Sequence, residues 1–181
     1  MSVQPRDAKV FVALLVSMTV GTMVLMALDD NPPSAGAFCL SSYYHLKPVE
    51  KVIESQAVQS PDRWDSIKIY YSGTRAGNIE QLASLDGLTN PGDINCHFVI
   101  CNGRGGADGQ IQPTEKWQMQ WSIISDQGHG DTSRTICICV ISDGNKSLPT
   151  DFQIKRGEAL VEGLRRKFNI QAQSIYYPNS W

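Results

Sequence analysis

The chain has 181 residues, 41% of them hydrophobic, and carries 16 Lys and Arg against 18 Asp and Glu for a net charge of −2. That length holds one ordinary domain, because two would each be too small to bury much core. The near-neutral balance provides no concentrated basic face and excludes a nucleic-acid partner.

Val10 to Leu28, VFVALLVSMTVGTMVLMAL, contains no charged residue and as a helix would span roughly 28 Å, the thickness of a bilayer's hydrocarbon core. Arg6 and Lys9 precede it and Asp29 and Asp30 follow. The positive-inside bias therefore predicts a cytoplasmic N-terminus over residues 1–9, a transmembrane anchor over 10–28 and everything beyond on the outer, periplasmic or extracellular, side of the cell membrane. A cleaved signal segment is the alternative, with SAGAF at Ser34 to Phe38 as its cleavage site; both readings export the remainder.

Residues 29–61 open with DDNPPSAGAF, whose prolines and polar residues suit a stem, with a short helix at Pro48 to Gln56. The globular domain is expected over 62–181. Its first strand is SIKIYYSG from Ser66, ended by Gly73, and NIEQLASL from Asn78 reads as an amphipathic helix closed by Asp86 and Gly87. CHFVICN from Cys96 is a second strand, and after a glycine-rich turn GQIQPT returns as its hairpin partner. EKWQMQWS sets Trp117 and Trp121 four apart, on one side of a helical turn, for packing or as a ligand platform. RTICICVIS is a central strand, and LPTDFQIKRGEALVEGLRRKFNI opens with Thr150 and Gln153 in capping-box register, carrying Phe152, Ala159, Leu160, Leu164 and Phe168 along one face. IQAQSIYYPNSW closes the chain as an extended piece. The intermixed strands and helices predict an α/β domain built on a single mixed β-sheet flanked by helices.

Five cysteines, Cys39, Cys96, Cys101, Cys137 and Cys139, form no CxxC or CxxH pair. Cys137 and Cys139 would share one strand face about 7 Å apart, too far for one tetrahedral ion, so buried core thiols are expected.

IYYSGT at Ile69 to Thr74, CHFVI with its glycine turn and DGQI, GHGDTSRTICICVI, and PTDFQ opening a long helix follow one another in an order that resembles the zinc-dependent N-acetylmuramoyl-L-alanine amidases. That family also contains phage lysozyme-like amidases and the peptidoglycan recognition proteins. The resemblance covers roughly residues 64–181 and implies a mixed sheet with helices on its faces and a ligand groove over one side. In the family, one zinc ion polarises the scissile amide and activates a water.

Carried over, the family's three metal ligands fall on Tyr70, Gln173 and, near the remnant YPNSW, Tyr177; none is a His, Cys, Asp or Glu. The resemblance therefore implies a degenerate site and no bound cofactor. Only His45, His97 and His129 exist in the chain. His45 falls in the stem, His97 matches a family histidine beside the metal set and outside it, and His129 falls in a groove loop. The expected groove comprises Tyr70, Tyr71, Ser72, His97, Asn102 and His129, with Trp117 or Trp121 stacking on sugar. The implied role is binding peptidoglycan or muropeptides without zinc-dependent hydrolysis, through a domain held to the membrane.

Two alternatives remain open. An active amidase of non-standard chemistry would use Cys96 or Cys101 with a histidine. Cys96 and His97 face opposite sides of a strand, and Cys101 lies about 13 Å from His97 when extended, so only His129, through tertiary contact, stays in play. A membrane-anchored protein-interaction domain would have no small-molecule site at all.

Overall fold

The structure is a computed structural model that describes residues 10, 12, 14–20, 46–123, 133–143, 147–179 and 181. The chain divides into two compact units, Met1–Tyr44 and His45–Trp181.

In the first unit the described residues, 10, 12 and 14–20, are helical. The apolar side chains from Val10 to Val20 among them are exposed. The hydroxyls of Ser17 and Thr19 donate to the helix's own carbonyls at Leu14, Leu15 and Val16, so no polar side chain there lacks a partner. Among the described residues no helix is long and apolar enough to cross a membrane; the rest of the expected span 10–28 lies outside them.

The second unit is built on a five-stranded sheet of order β3-β2-β4-β1-β5. Its strands are β1 (Ser66–Tyr71), β2 (Phe98–Ile100), β3 (Ile111–Pro113), β4 (Thr135–Val140) and β5 (Ile175–Tyr176). β1, β2, β4 and β5 run parallel, and β3 is antiparallel to β2, which makes the sheet mixed as expected. The helices are α1 (Val49–Ile53), α2 (Ile79–Leu85), α3 (Glu115–Gln118) and α4 (Asp151–Phe168).

Period-2 alternation sorts the sheet's side chains into two layers. Ile67 and Ile69 of β1, with Ile136, Ile138 and Val140 of β4, enter one buried cluster with Val49, Val52 and Ile53 of α1, Trp117 of α3, and Leu160, Leu164 and Phe168 of α4. Cys137 and Cys139 of β4 point the other way, into a cluster with Val99, Cys96, Leu82, Ala83 and Ile94, on which Tyr70 packs. A side chain's parity thus decides whether it meets α4 or α2.

The helices start where the sequence supplies an acceptor. Asn78 accepts from the N–H of Gln81 and Thr114 from that of Trp117. Thr150 and Gln153 form the reciprocal capping box. α4 ends at Asn169 in the left-handed conformation, φ 54°, where asparagine is tolerated better than most residues.

Two expectations need correction. The stretch 29–61 is not all stem, because α1 inside it buries Val49, Val52 and Ile53 to 6% exposure or less. Gly163 of α4 has no Cβ to hold α1 away, since an added one would lie 2.6 Å from the Ile53 methyl. Trp117 and Trp121 do not share a face, because α3 ends at Gln118 and Gln120 adopts φ 55°. Trp117 is fully buried whereas Trp121 is 49% exposed. Gln120 is held in that turn by its own amide, which accepts from Trp64 and donates to the Trp117 carbonyl.

Candidate functional site

At the carboxyl end of β1, Tyr70 lies half-buried against the α2-side cluster, and its hydroxyl donates to the Asn95 carbonyl at 3.1 Å. Burial, and then the neighbouring Cys96, Cys139 and Cys137, push its phenol far above the ordinary tyrosine value. It is a neutral phenol, and a metal ion binds the phenolate.

Tyr71, the next residue, faces the opposite layer and packs against the α4-side cluster. Ser72 ties the strand exits together: its hydroxyl donates to the Ser142 carbonyl and accepts from the N–H groups of Ser142 and Thr74, each at 3.2 Å. Asn102 donates to the Ala76 carbonyl at 2.9 Å and accepts from the Arg104 N–H, which fastens the glycine turn to the loop after β1. Gly77 and Gly105 meet there backbone to backbone, and an added Cβ on Gly77 would overlap Gly105. The glycine cluster is therefore required by close packing of two loops.

His97 sits at the foot of β2 with no exposed surface. Its Nδ1 accepts from the Cys137 N–H at 2.9 Å, so the Nε2, 2.9 Å from the Trp121 carbonyl, carries the proton and donates. Trp64 and Trp117 contact the ring edge-on. Burial, the leading cause, lowers its pKa to about 4. With both nitrogens engaged, His97 is a structural residue inside the domain and does not border a groove floored by Tyr70. Trp117 stacks among Phe98, Phe168 and Trp64, and its indole N–H donates to Ile53; it offers no face to a sugar. Of the seven expected groove residues, Tyr70, Ser72 and Asn102 gather near the carboxyl ends of β1 and β2, His97 and Trp117 belong to the core, and Tyr71 is partly buried against the α4-side cluster. His129, like His45, lies outside the described residues.

Gln173 occupies an exposed 3-10 turn, Ala172–Ser174, before β5. β5 aligns Ile175 with Ile67 and Tyr176 with Lys68, so continuing the register brings Tyr177 level with Ile69 and leaves Gln173 at the far end of the strand from Tyr70. Tyr177 is 46% exposed, its ring 5.7 Å from that of Trp181. These three positions do not fit a zinc ion: one is a neutral phenol, one a carboxamide and one an exposed tyrosine, and they do not converge. Among the described residues no group of three or more His, Cys, Asp or Glu is placed to hold a metal.

Cys96, Cys101, Cys137 and Cys139 are all buried and free. Burial raises Cys101 to about 12 and Cys137 to about 11, and pushes Cys96 well above the usual thiol value. None of these three presents a thiolate near neutral pH.

Two cavities lie at opposite ends of the strands, and of the expected groove residues Asn102 alone is in the lining of either. The chain leaves β1 toward β2, beyond β4, and leaves β4 toward β5, beyond β1. The carboxyl ends of β1 and β4 therefore border the crevice where open parallel sheets usually bind ligands. A cavity of about 100 Å³ lies there, with Thr74, Arg75, Asn102, Arg104 and Thr150 in its lining. A larger one, about 530 Å³, lies at the opposite end of the strands, between the start of β1 and the end of α4. Its walls come from three separate parts of the sequence, and no local motif marks them.

No family model matches the chain, and no curated protein matches it. Among solved structures, the endolysin N-acetylmuramoyl-L-alanine amidase LysCS from Clostridium intestinale is similar, with a TM-score of 0.44 and 19% identity over 68% of this chain and 74% of that one. A likeness at that level does not assign the chain to a family.

Proposed function

We propose that this chain is an amidase-like domain that binds peptidoglycan or muropeptides without zinc-dependent hydrolysis, and that its apolar N-terminal segment holds it at the outer face of the cell membrane. The observation that carries the reading is Tyr70. The motif order places it where the amidases hold their first metal ligand, yet it is an uncharged phenol hydrogen-bonded to the Asn95 carbonyl and packed among thiols. The pieces CHFVI, DGQI and PTDFQ support the same reading through what they build: β2, the start of β3, and the capping box that anchors α4.

The test is cosedimentation of the full-length chain with purified, insoluble peptidoglycan, alongside metal analysis and an assay for newly exposed L-alanine amino groups. Binding without stoichiometric zinc and without release is expected. Bound zinc with release of amino groups would identify an active amidase. Failure to cosediment would leave a domain whose partner is another protein.

A further inference from the structure

The 530 Å³ groove at the foot of the sheet is lined by Asp62, Asp65, Ser66, Arg134, Asn169, Gln171 and Tyr176, among others. Its volume lies in the range of ligand sites, roughly 300–1,000 Å³. Tyr176 is 57% exposed and supplies an aromatic face at the end of β5. Around it stand planar hydrogen-bonding groups: the amides of Asn169 and Gln171, the carboxylate of Asp62, and the Asp65 carboxylate paired with the Arg134 guanidinium at 3.2 Å. Asn169 enters the wall because α4 ends on it in the left-handed conformation, turning the chain across the foot of the sheet. The Arg134 guanidinium also donates to the Asp62 carbonyl at 2.7 Å, which fixes one wall to β4.

An aromatic face ringed by amides, carboxylates and one guanidinium matches a polyhydroxylated ring, whose C–H face is apolar and whose edge carries donors and acceptors. Two carboxylates against one arginine disfavour a polyphosphate, and the polar walls disfavour a lipid. We propose that this groove binds the glycan strand of the cell wall, with Tyr176 stacking on a sugar and Asn169, Gln171 and Asp62 hydrogen-bonding its hydroxyl or N-acetyl groups. The inference rests on the peptidoglycan reading for its partner and adds a second site. Ser66 and Tyr70 are four residues apart on β1, so the groove begins about 13 Å from Tyr70 along the strand.

The test titrates the full-length chain with chitotetraose, a peptide-free oligomer of β-1,4-linked N-acetylglucosamine, and reads backbone amide shifts. Shifts confined to residues 62–66, 134 and 169–176 are expected. Tyr176→Ala should weaken binding about tenfold, while Tyr176→Phe, which keeps the ring, preserves it. Shifts centred on Tyr70, or an affinity unchanged in Tyr176→Ala, overturn the groove assignment. Peptidoglycan that cosediments while chitotetraose does not bind overturns the glycan groove and leaves the wall-binding reading intact. Chitotetraose bound at the foot with no cosedimentation of peptidoglycan does the reverse.

Discussion

His97 is held as a neutral imidazole by two hydrogen bonds and by burial, with its pKa lowered to about 4 against about 6.5 in an unfolded chain. Because the folded value is the lower one, the unfolded state takes up the proton first on acidification. The stabilisation is fully present above about pH 6.5 and is lost as pH falls toward 4, on the order of 3 kcal/mol in all. Chemical denaturation of wild type and His97→Gln from pH 7 down to 4 checks this: the stability gap between them should narrow as pH falls, and a constant gap would contradict it. Trp117, buried among three aromatic rings, should lose about 3–5 kcal/mol of stability on truncation to alanine, with no separate effect on ligand affinity in the fraction that stays folded. The burial of both residues was not legible from their identity, because His and Trp suit groove and core equally. It follows from tertiary contacts, from the Cys137 N–H and the Trp121 carbonyl, that no spacing encodes. Tyr70 was the more legible residue, since its place in IYYSGT puts it at the end of a strand whatever the long-range packing.

At the scale of elements, α4, the parity of β4 and the β2–β3 hairpin could be read directly, because capping boxes, alternation and turn residues are local signals. α1 was read as a helix but misplaced in the stem: five residues between prolines and polar stretches look independent until the gap above Gly163 is seen to receive them. A chain beginning at residue 46, which keeps α1, should therefore retain a cooperative unfolding transition. A chain beginning at residue 62 loses three buried side chains worth about 1.5–3 kcal/mol each, and its urea midpoint should fall sharply or its transition disappear. Gly163→Leu offers an independent check, since its side chain would occupy the place of the Ile53 methyl; equal stability for that variant and wild type would refute the close packing of α1 on α4.

For the whole molecule, the cysteines make a measurable statement about cooperativity. Cys96, Cys137 and Cys139 lie in the α2-side cluster and Cys101 is buried just beyond the end of β2. In iodoacetamide at about pH 8 these four should label together and only at the rate at which the domain opens. Peptide mapping that finds one of them modified early would reveal a locally open region. The sheet also imposes an order on folding. β1 lies between β4 and β5, and its Ile67 pairs with both Ile136 and Ile175, so a strand near the start of the domain finds its last neighbour near residue 176. Non-local parallel pairing of this kind is slow to form. Until β4 and β5 have both formed, β1 is an open edge, and the interval before closure is when the domain is most exposed to aggregation.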